Sequence, residues 1–510
     1  MNRFFYLLLI SFISIADIKF DGIVDDSEWS DAEVFDLPFE ISPSYNTQAE
    51  HETLVYIKND SSNLYVAFKA LGNKDYIRAG IRARDGINWL DDQVAIGIDT
   101  FGDGRYYVRF SANPLGSIGD NKVDNKDDFD GSYNVEFDAK ARITNFGYEV
   151  EFVIPFSSLN FPDTKNQELT LMLSRKLYNK GTESKYMNYA KIDGAGCIIC
   201  QSNEIYSVEN IVKKNKKRLI PSLTANSIRE RNQDGDMIEE PVDSEVSLGG
   251  EYEFNGNNFE FTFNPDFSQV EADQSKIDIN STTALRFDER RIFFNEGKDF
   301  LSSDLSTVYT RSINDPEYAL KLYNRGEKHS YYFLDAEDAT TPIIIPGYQR
   351  SYSGLLGKSH ANIFSYNYNI EKGQNIGFLA TNRDFEEGGN SALYSLKGNF
   401  LFNDIYRTQF ELVSTDMDEP ISDVINTSNT SKEHTYNLDG ESFSGYGGVF
   451  GLSRETENWE TRYYFATKSP NYRSDLGFTT ENDWKKHSIN QKYKYRSNGI
   501  VRSGNIEIRK

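Results

Sequence analysis

Past its first residues the chain reads as a series of short segments whose apolar and polar positions alternate. In "YEVEFVIP", Tyr148, Val150, Phe152 and Ile154 alternate with Glu149, Glu151 and Val153, the period of a half-buried strand. "LVYIKND", "LYVAFKAL", "DQVAIGIDT", "RYYVRFSA" and "LTLMLSRKL" repeat the theme between turn signals. Long helical periodicity is nearly absent. The spacing of these segments predicts a β-sandwich over residues 17–212.

Further along, the alternation becomes aromatic. Phe259, Phe261 and Phe263 alternate with polar partners, as do Phe364, Tyr366, Tyr368 and Ile370 in "IFSYNYNI". "YRTQFEL" sets Tyr406, Thr408, Phe410 and Leu412 against Arg407, Gln409 and Glu411, and "WETRYYF" does the same from Trp459 to Phe465. Strands of about 10 residues, aromatic on one side and polar on the other, mark an outer-membrane barrel, although a soluble sandwich alternates in the same way. The long polar stretch "STDMDEPISDVINTSNTSKEHTYNLDGES" reads as an extracellular loop and favours the barrel. The fold expectation is therefore all-β, an N-terminal β-sandwich followed by an antiparallel outer-membrane β-barrel over 219–510. The alternating text runs out at "SGNIEIRK", which reads as a truncated barrel.

The segments between and before these domains fit an exported protein. "MNRFFYLLLISFISIAD" has the form of a secretory signal peptide, residues 1–16. No later stretch has the roughly 20 apolar residues of a membrane helix, so any membrane insertion is by strands. The basic run in "VKKNKKRL" marks a linker at 213–218.

Composition narrows the partners. A chain of 510 residues is too long for one ordinary core. A net charge of −23 argues against nucleic acid, which needs clustered Lys and Arg. Cys197 and Cys200, in a chain with only five His, fit a local disulfide in an oxidising compartment better than a metal site.

Candidate chemistry is sparse. Asp99 and Asp103 in "DTFGDGR", and Asp128 and Asp130 in "DNKVDNKDDFDG", are weak candidates for calcium, with a turn and a solvated acidic loop as the plain alternatives. The second segment misses an EF-hand register, because Gly131 would set Lys126 at the first ligand position. Asp266, Glu271 and Asp273 in "NPDFSQVEAD" read as turn or lumen acids. No nucleophile elbow, metalloprotease helix or phosphate loop is present, and no pair of carboxylates stands out for glycoside hydrolysis.

"IKFDGIVDDSEWSDA", "WLDDQVAIGIDTFGDGRYYVRFSANPLGSIGD" and "GYEVEFVIPFSSLNF" resemble family 9 carbohydrate-binding modules. "FNPDFSQVEADQSKIDINSTTALRFDERRIFFNEG" (263–297) and "SPNYRSDLGFTTENDW" (469–484) resemble the large outer-membrane barrel fused to such modules in Bacteroidetes. The resemblance implies a sandwich of the family 9 type, which holds a sugar against tryptophan faces and in some members carries structural calcium. Carried over residue by residue, Trp89 is the main stacking candidate; by their position in the sequence Asp91 and Asp92 follow it as acceptors, and Arg105 approaches from the adjacent strand. Tyr186 or Tyr189 stands where a second tryptophan is absent, and Ala95 follows Val94 where sugar-binding members carry an acid. Trp29 reads as core packing with solvated acids around it. The expectation is a non-catalytic glycan-binding protein of the outer membrane supporting polysaccharide capture. The alternatives are a glycoside hydrolase targeted by its module and an assembly or transport barrel with outer-membrane protein partners.

Overall fold

The computed structural model describes residues 19–509 except 88–89, 125–126, 128, 132, 163–166, 180–181, 193–197, 203, 209–216, 227–228, 232–236, 240–242, 266–282, 288, 290, 327, 371–373, 404, 432–433, 457 and 497–502. The chain is nearly all β, as its alternation predicts, and its large sheets are antiparallel. The signal segment, most of the basic linker, Trp89, Asp128, Cys197 and Asp266 to Asp273 lie outside the described residues. No described helix is long and apolar enough to cross a membrane.

Two sheets build the N-terminal sandwich. A five-stranded sheet has the order Glu33–Asp36, Thr53–Asn59, Asn63–Leu71, Gly147–Pro155, Asp138–Thr144. A nine-stranded sheet centres on Gln167–Asn179, Gln93–Asp99, Tyr106–Ala112 and Ile118–Asp124. Val55, Val66, Phe68, Val150 and Phe152 from the first pack against Val94, Ile96, Ile98, Phe110 and Leu171 from the second. This is the period-two face expected of each strand.

One strand departs from the half-buried expectation. Glu149 and Glu151 are as buried as the apolar positions they alternate with. The reason is the N-terminal segment, which lies over them. Glu151 accepts the backbone N–H of Asp21 at 3.0 Å and of Gly22 at 2.7 Å, and the Trp29 indole N–H at 3.3 Å. Trp29 itself is 2% exposed and packs with Val24 and Ala67. Its role is core packing, and one carboxylate fastens the whole "DG…EW" segment.

The C-terminal region forms a thirteen-stranded sheet from Lys217–Asn226 to Ser503–Arg509, each long strand pairing antiparallel with the next in sequence. The last two residues of the basic linker, Lys217 and Arg218, belong to its first strand. Eleven of the thirteen strands are 10 to 14 residues long. Among the described residues the two edge strands have one partner each.

The two faces of this sheet differ in exposure, the inner one mixing buried polar and apolar side chains and the outer one carrying exposed apolar ones. Asn258, Glu260 and Thr262 are buried, whereas Phe263 on the opposite face is exposed. Ile363 and Ser365 point inward, and Phe364 and Tyr368 outward. Leu412 is 57% exposed beside buried Glu411. The inner face wraps the described residues of segment 283–315. Phe294, Phe300, Leu301, Leu305 and Ile313 of that segment pack on Leu334, Ile363, Leu379, Leu393, Val413 and Val449 from successive strands. Polar bonds fix the same segment. The Glu411 carboxylate accepts from Ser303 Oγ at 2.6 Å and from the N–H of Asp304 at 2.9 Å. Lys321 is fully buried, donates to the Glu296 carbonyl at 2.9 Å and pairs with Glu260 at 2.8 Å. Gly447 also faces inward, where a Cβ would come within 2.8 Å of the Tyr472 ring.

Candidate functional site

The residues expected to form one sugar site are spread over the sandwich. Asp91 and Asp92 precede strand Gln93–Asp99, and Arg105 follows its other end, next to strand Tyr106–Ala112. Seven residues of extended chain separate these ends by roughly 20 Å. Asp91 and Asp92 are both buried. Asp92 accepts the N–H of Tyr178 at 2.6 Å and donates its own N–H to the Arg78 carbonyl at 2.6 Å. Burial pushes its carboxyl up to about 6 despite that N–H donor and Arg175. Tyr186 lies in the core between the two sheets, and Tyr189 in the cluster of Tyr107, Met172 and Met187 on the other face. The structure does not bring these side chains together.

The calcium candidates are engaged otherwise. Asp99 accepts the N–H groups of Phe101, Gly102 and Gly104, each at 2.9 Å, which shapes the turn. Burial and neighbouring Asp103 raise its carboxyl to about 6 against those three donors. Asp103 binds Arg105 Nε at 2.5 Å, and Asp130 lies 3.8 Å from Lys298. The N–H donors on Asp99 and the guanidinium on Asp103 occupy the oxygens that a calcium ion would need from these two. Among the described residues, Glu419, Asp439 and Glu441 bring carboxylate oxygens within 4.8 Å of one another. There Glu419 is held by Arg473 at 2.6 Å and Asp439 by Thr435 at 2.8 Å.

The convergence of polar groups that stands out lies where the sandwich meets the wrapped sheet. Asp299 sits in the turn Lys298–Leu301, entered through Gly297 at φ +81°, a left-handed conformation that favours glycine. Its Oδ1 is 2.6 Å from Lys122 Nζ, on sandwich strand Ile118–Asp124. Both its oxygens are gripped by the guanidinium of Arg325, at the end of strand Pro316–Arg325, with Nη2–Oδ1 at 2.5 Å. Burial opposes the charge on Asp299, but Arg325 and then Lys122 outweigh it and hold the carboxyl well below its ordinary range. Aromatic rings complete the cluster. Lys122 lies 4.0 Å from the Tyr106 ring centre, and Arg325 lies 4.3 Å from that of Phe300. Arg105 adds a second tie, with Nη1 donating to Ser330 Oγ at 2.7 Å.

Around this cluster is a cavity of about 1140 Å³, lined by sandwich, inner segment and sheet together. Its walls carry as many Lys and Arg as Asp and Glu, which is unusual in a chain of charge −23. Amide side chains are as numerous, among them Asn134, Asn367, Asn375, Asn399 and Gln409. Phe129 also lines it and is 61% exposed. Of the expected ligand residues, Arg105 alone among those described reaches this cavity. Sequence reasoning passed over the others. Phe129 lies inside the acidic run read as a solvated loop, and the asparagines near strand ends look like turn residues. Repeated Asn beside the aromatic strands, in "YNYN" and "KGNF", was the available signal.

No family model matches the chain, and no curated protein matches it. Among solved structures it is similar to a candidate carbohydrate-binding protein from Bacteroides uniformis, at 13% identity and a TM-score of 0.25, over 36% of this chain and 80% of that one.

Proposed function

We propose that this protein is embedded in the outer membrane by its thirteen-stranded sheet and binds a neutral glycan in the cavity under its sandwich. The observation that carries the ligand is the cavity wall, which is charge-balanced, rich in amides and furnished with one exposed ring. Amides donate and accept at once, as sugar hydroxyls require, and a pyranose lays its C–H groups on an aromatic face. A wall of equal opposite charges gives no net attraction for a polyanion. The outward aromatic face of long strands, together with an inner face that is already filled, supports the membrane reading. A role in polysaccharide capture follows from these two readings.

The test is calorimetric titration of the detergent-solubilised full chain against neutral and anionic oligosaccharides. Binding of a neutral oligosaccharide, weakened at least tenfold by Phe129→Ala with unchanged melting, is the expected outcome. Preference for the anionic series, or affinity indifferent to Phe129→Ala, overturns the ligand reading. A transport or assembly barrel is the second reading, favoured by the sandwich being tied to the sheet through Lys122, Asp299 and Arg325.

A further inference from the structure

With one exception, the four-residue joint 386–389, the connections of the thirteen-stranded sheet are sorted by length onto its two ends. At one end the joints are residues 255–256, 326–328, 370–374, 403–405 and 456–458. At the other they are 227–242, 264–315, 339–358, 386–389, 419–441 and 469–483. Because the strands run up and down in sequence order, every joint of the first set lies on the same side. Three of the long joints carry hairpins of their own, Arg229–Arg231 with Met237–Glu239, Thr341–Gly347 with Arg350–Leu356, and Ile421–Ser422 with Leu438–Asp439.

The sandwich sits at the short-joint end. Arg105 reaches the Gly326 carbonyl, within joint 326–328, at 3.4 Å, and Ser330 Oγ just beyond that joint. Arg325, which grips Asp299 together with Lys122, is the last residue before that joint. The cavity is at the same end, since Asn367, Asn369 and Asn375 flank joint 370–374. Beyond the cavity the inner face is filled by Phe294, Leu305, Ile313 and their partners from the strands. A ligand therefore reaches the cavity past the sandwich and not through the sheet's far end.

Outer-membrane barrels have short turns on the periplasmic side and longer loops on the exterior. We infer that the sandwich closes the periplasmic mouth of the sheet and that the cavity is filled from the periplasm. Its glycan is then one already inside the outer membrane, and the long hairpins, not the sandwich, face the medium. This inference rests on the membrane reading above and adds an orientation to it.

Single-cysteine reporters test it, in full-length protein carrying Cys197→Ser and Cys200→Ser in a Gram-negative host. Tyr348→Cys reports the long-joint end, where Tyr348 is exposed, and Lys328→Cys the exposed short-joint end. A membrane-impermeant maleimide is expected to label Tyr348→Cys in intact cells, and Lys328→Cys only after the outer membrane is permeabilised. Labelling of Lys328→Cys in intact cells, or protection of Tyr348→Cys, overturns the orientation. Carbonate extraction of the same samples separates the two readings. Protein that resists extraction yet labels in reverse refutes the orientation alone, and protein released as soluble material refutes the membrane reading. Should the serine background fold poorly, a protease site inserted between Tyr348 and Gln349 in the native-cysteine chain reads the same end. Cutting in intact cells is expected, and resistance there with cutting after permeabilisation overturns the orientation.

Discussion

Asp299 and Lys122 stand 177 positions apart in the chain and meet at 2.6 Å, one from the segment inside the wrapped sheet and one from the sandwich. Arg325 completes the contact from the sheet itself. A single carboxylate thus holds three parts of the molecule.

Asp299→Asn removes the counter-charge from two cations whose side chains are 10% and 4% exposed. Breaking a buried pair by deleting one partner costs about 3–5 kcal/mol. The expected result is a lower urea midpoint, with part of the loss recovered in Asp299→Asn combined with Lys122→Met. Since the carboxyl is held below its ordinary range, its contribution is complete at neutral pH and disappears only in strong acid.

Asp92 titrates in the opposite sense. With its folded value raised to about 6 from 3.8, the native state binds more protons than the unfolded state across that interval. Stability from this group therefore falls as pH rises through the window, by about 3 kcal/mol in total. Asp92→Asn keeps an acceptor for the Tyr178 N–H and cannot ionise. Denaturation curves at pH 4, 5, 6 and 7 are expected to show a smaller fall in the variant than in the parent.

Trp29→Ala is expected to destabilise by about 3–5 kcal/mol, the usual range for removing a large buried ring. Trp29→Phe retains most packing and leaves the Glu151 Oε1 without its indole donor, so a loss of about 1 kcal/mol is expected. Thermal melting of the two variants distinguishes the ring from its N–H. Neither substitution is expected to alter oligosaccharide affinity in protein that remains folded.

Leu412→Lys tests the outward face. For a side chain in water the change is nearly neutral, whereas a lysine facing the middle of a bilayer costs about 2–4 kcal/mol. The expected outcome is a clear loss of heat-resistant, membrane-integrated protein on semi-native gels, with Ser428→Lys in the long joint 419–441 as the exposed control. Equal integration of Leu412→Lys and parent protein contradicts the lipid-facing assignment.

Strand positions were legible because a side chain's face depends on parity alone. "LYVAFKAL" becomes Asn63–Leu71 and "RYYVRFSA" becomes Tyr106–Ala112, and the aromatic strands near 259, 364, 410 and 463 are all present. Parity does not say what lies against each face. Glu151 looked like a solvated position until the chain's own residues 21–29 covered it. The site was less legible than the strands, because it forms from distant segments. Asp91 and Arg105 are 14 positions apart in sequence yet lie at opposite ends of one strand, and Asp299 was not singled out at all.

By itself the sequence determined the all-β class, the change in pattern after residue 219 and the packing role of Trp29, since each follows from local periodicity and burial preference. Only the tertiary structure decided which face of the thirteen-stranded sheet is filled, which end carries the sandwich, and that Lys122, Asp299 and Arg325 share one contact. Those outcomes depend on where the chain returns in space. Chain return is governed by long-range packing and charge pairing, to which the alternation of neighbouring residues is blind.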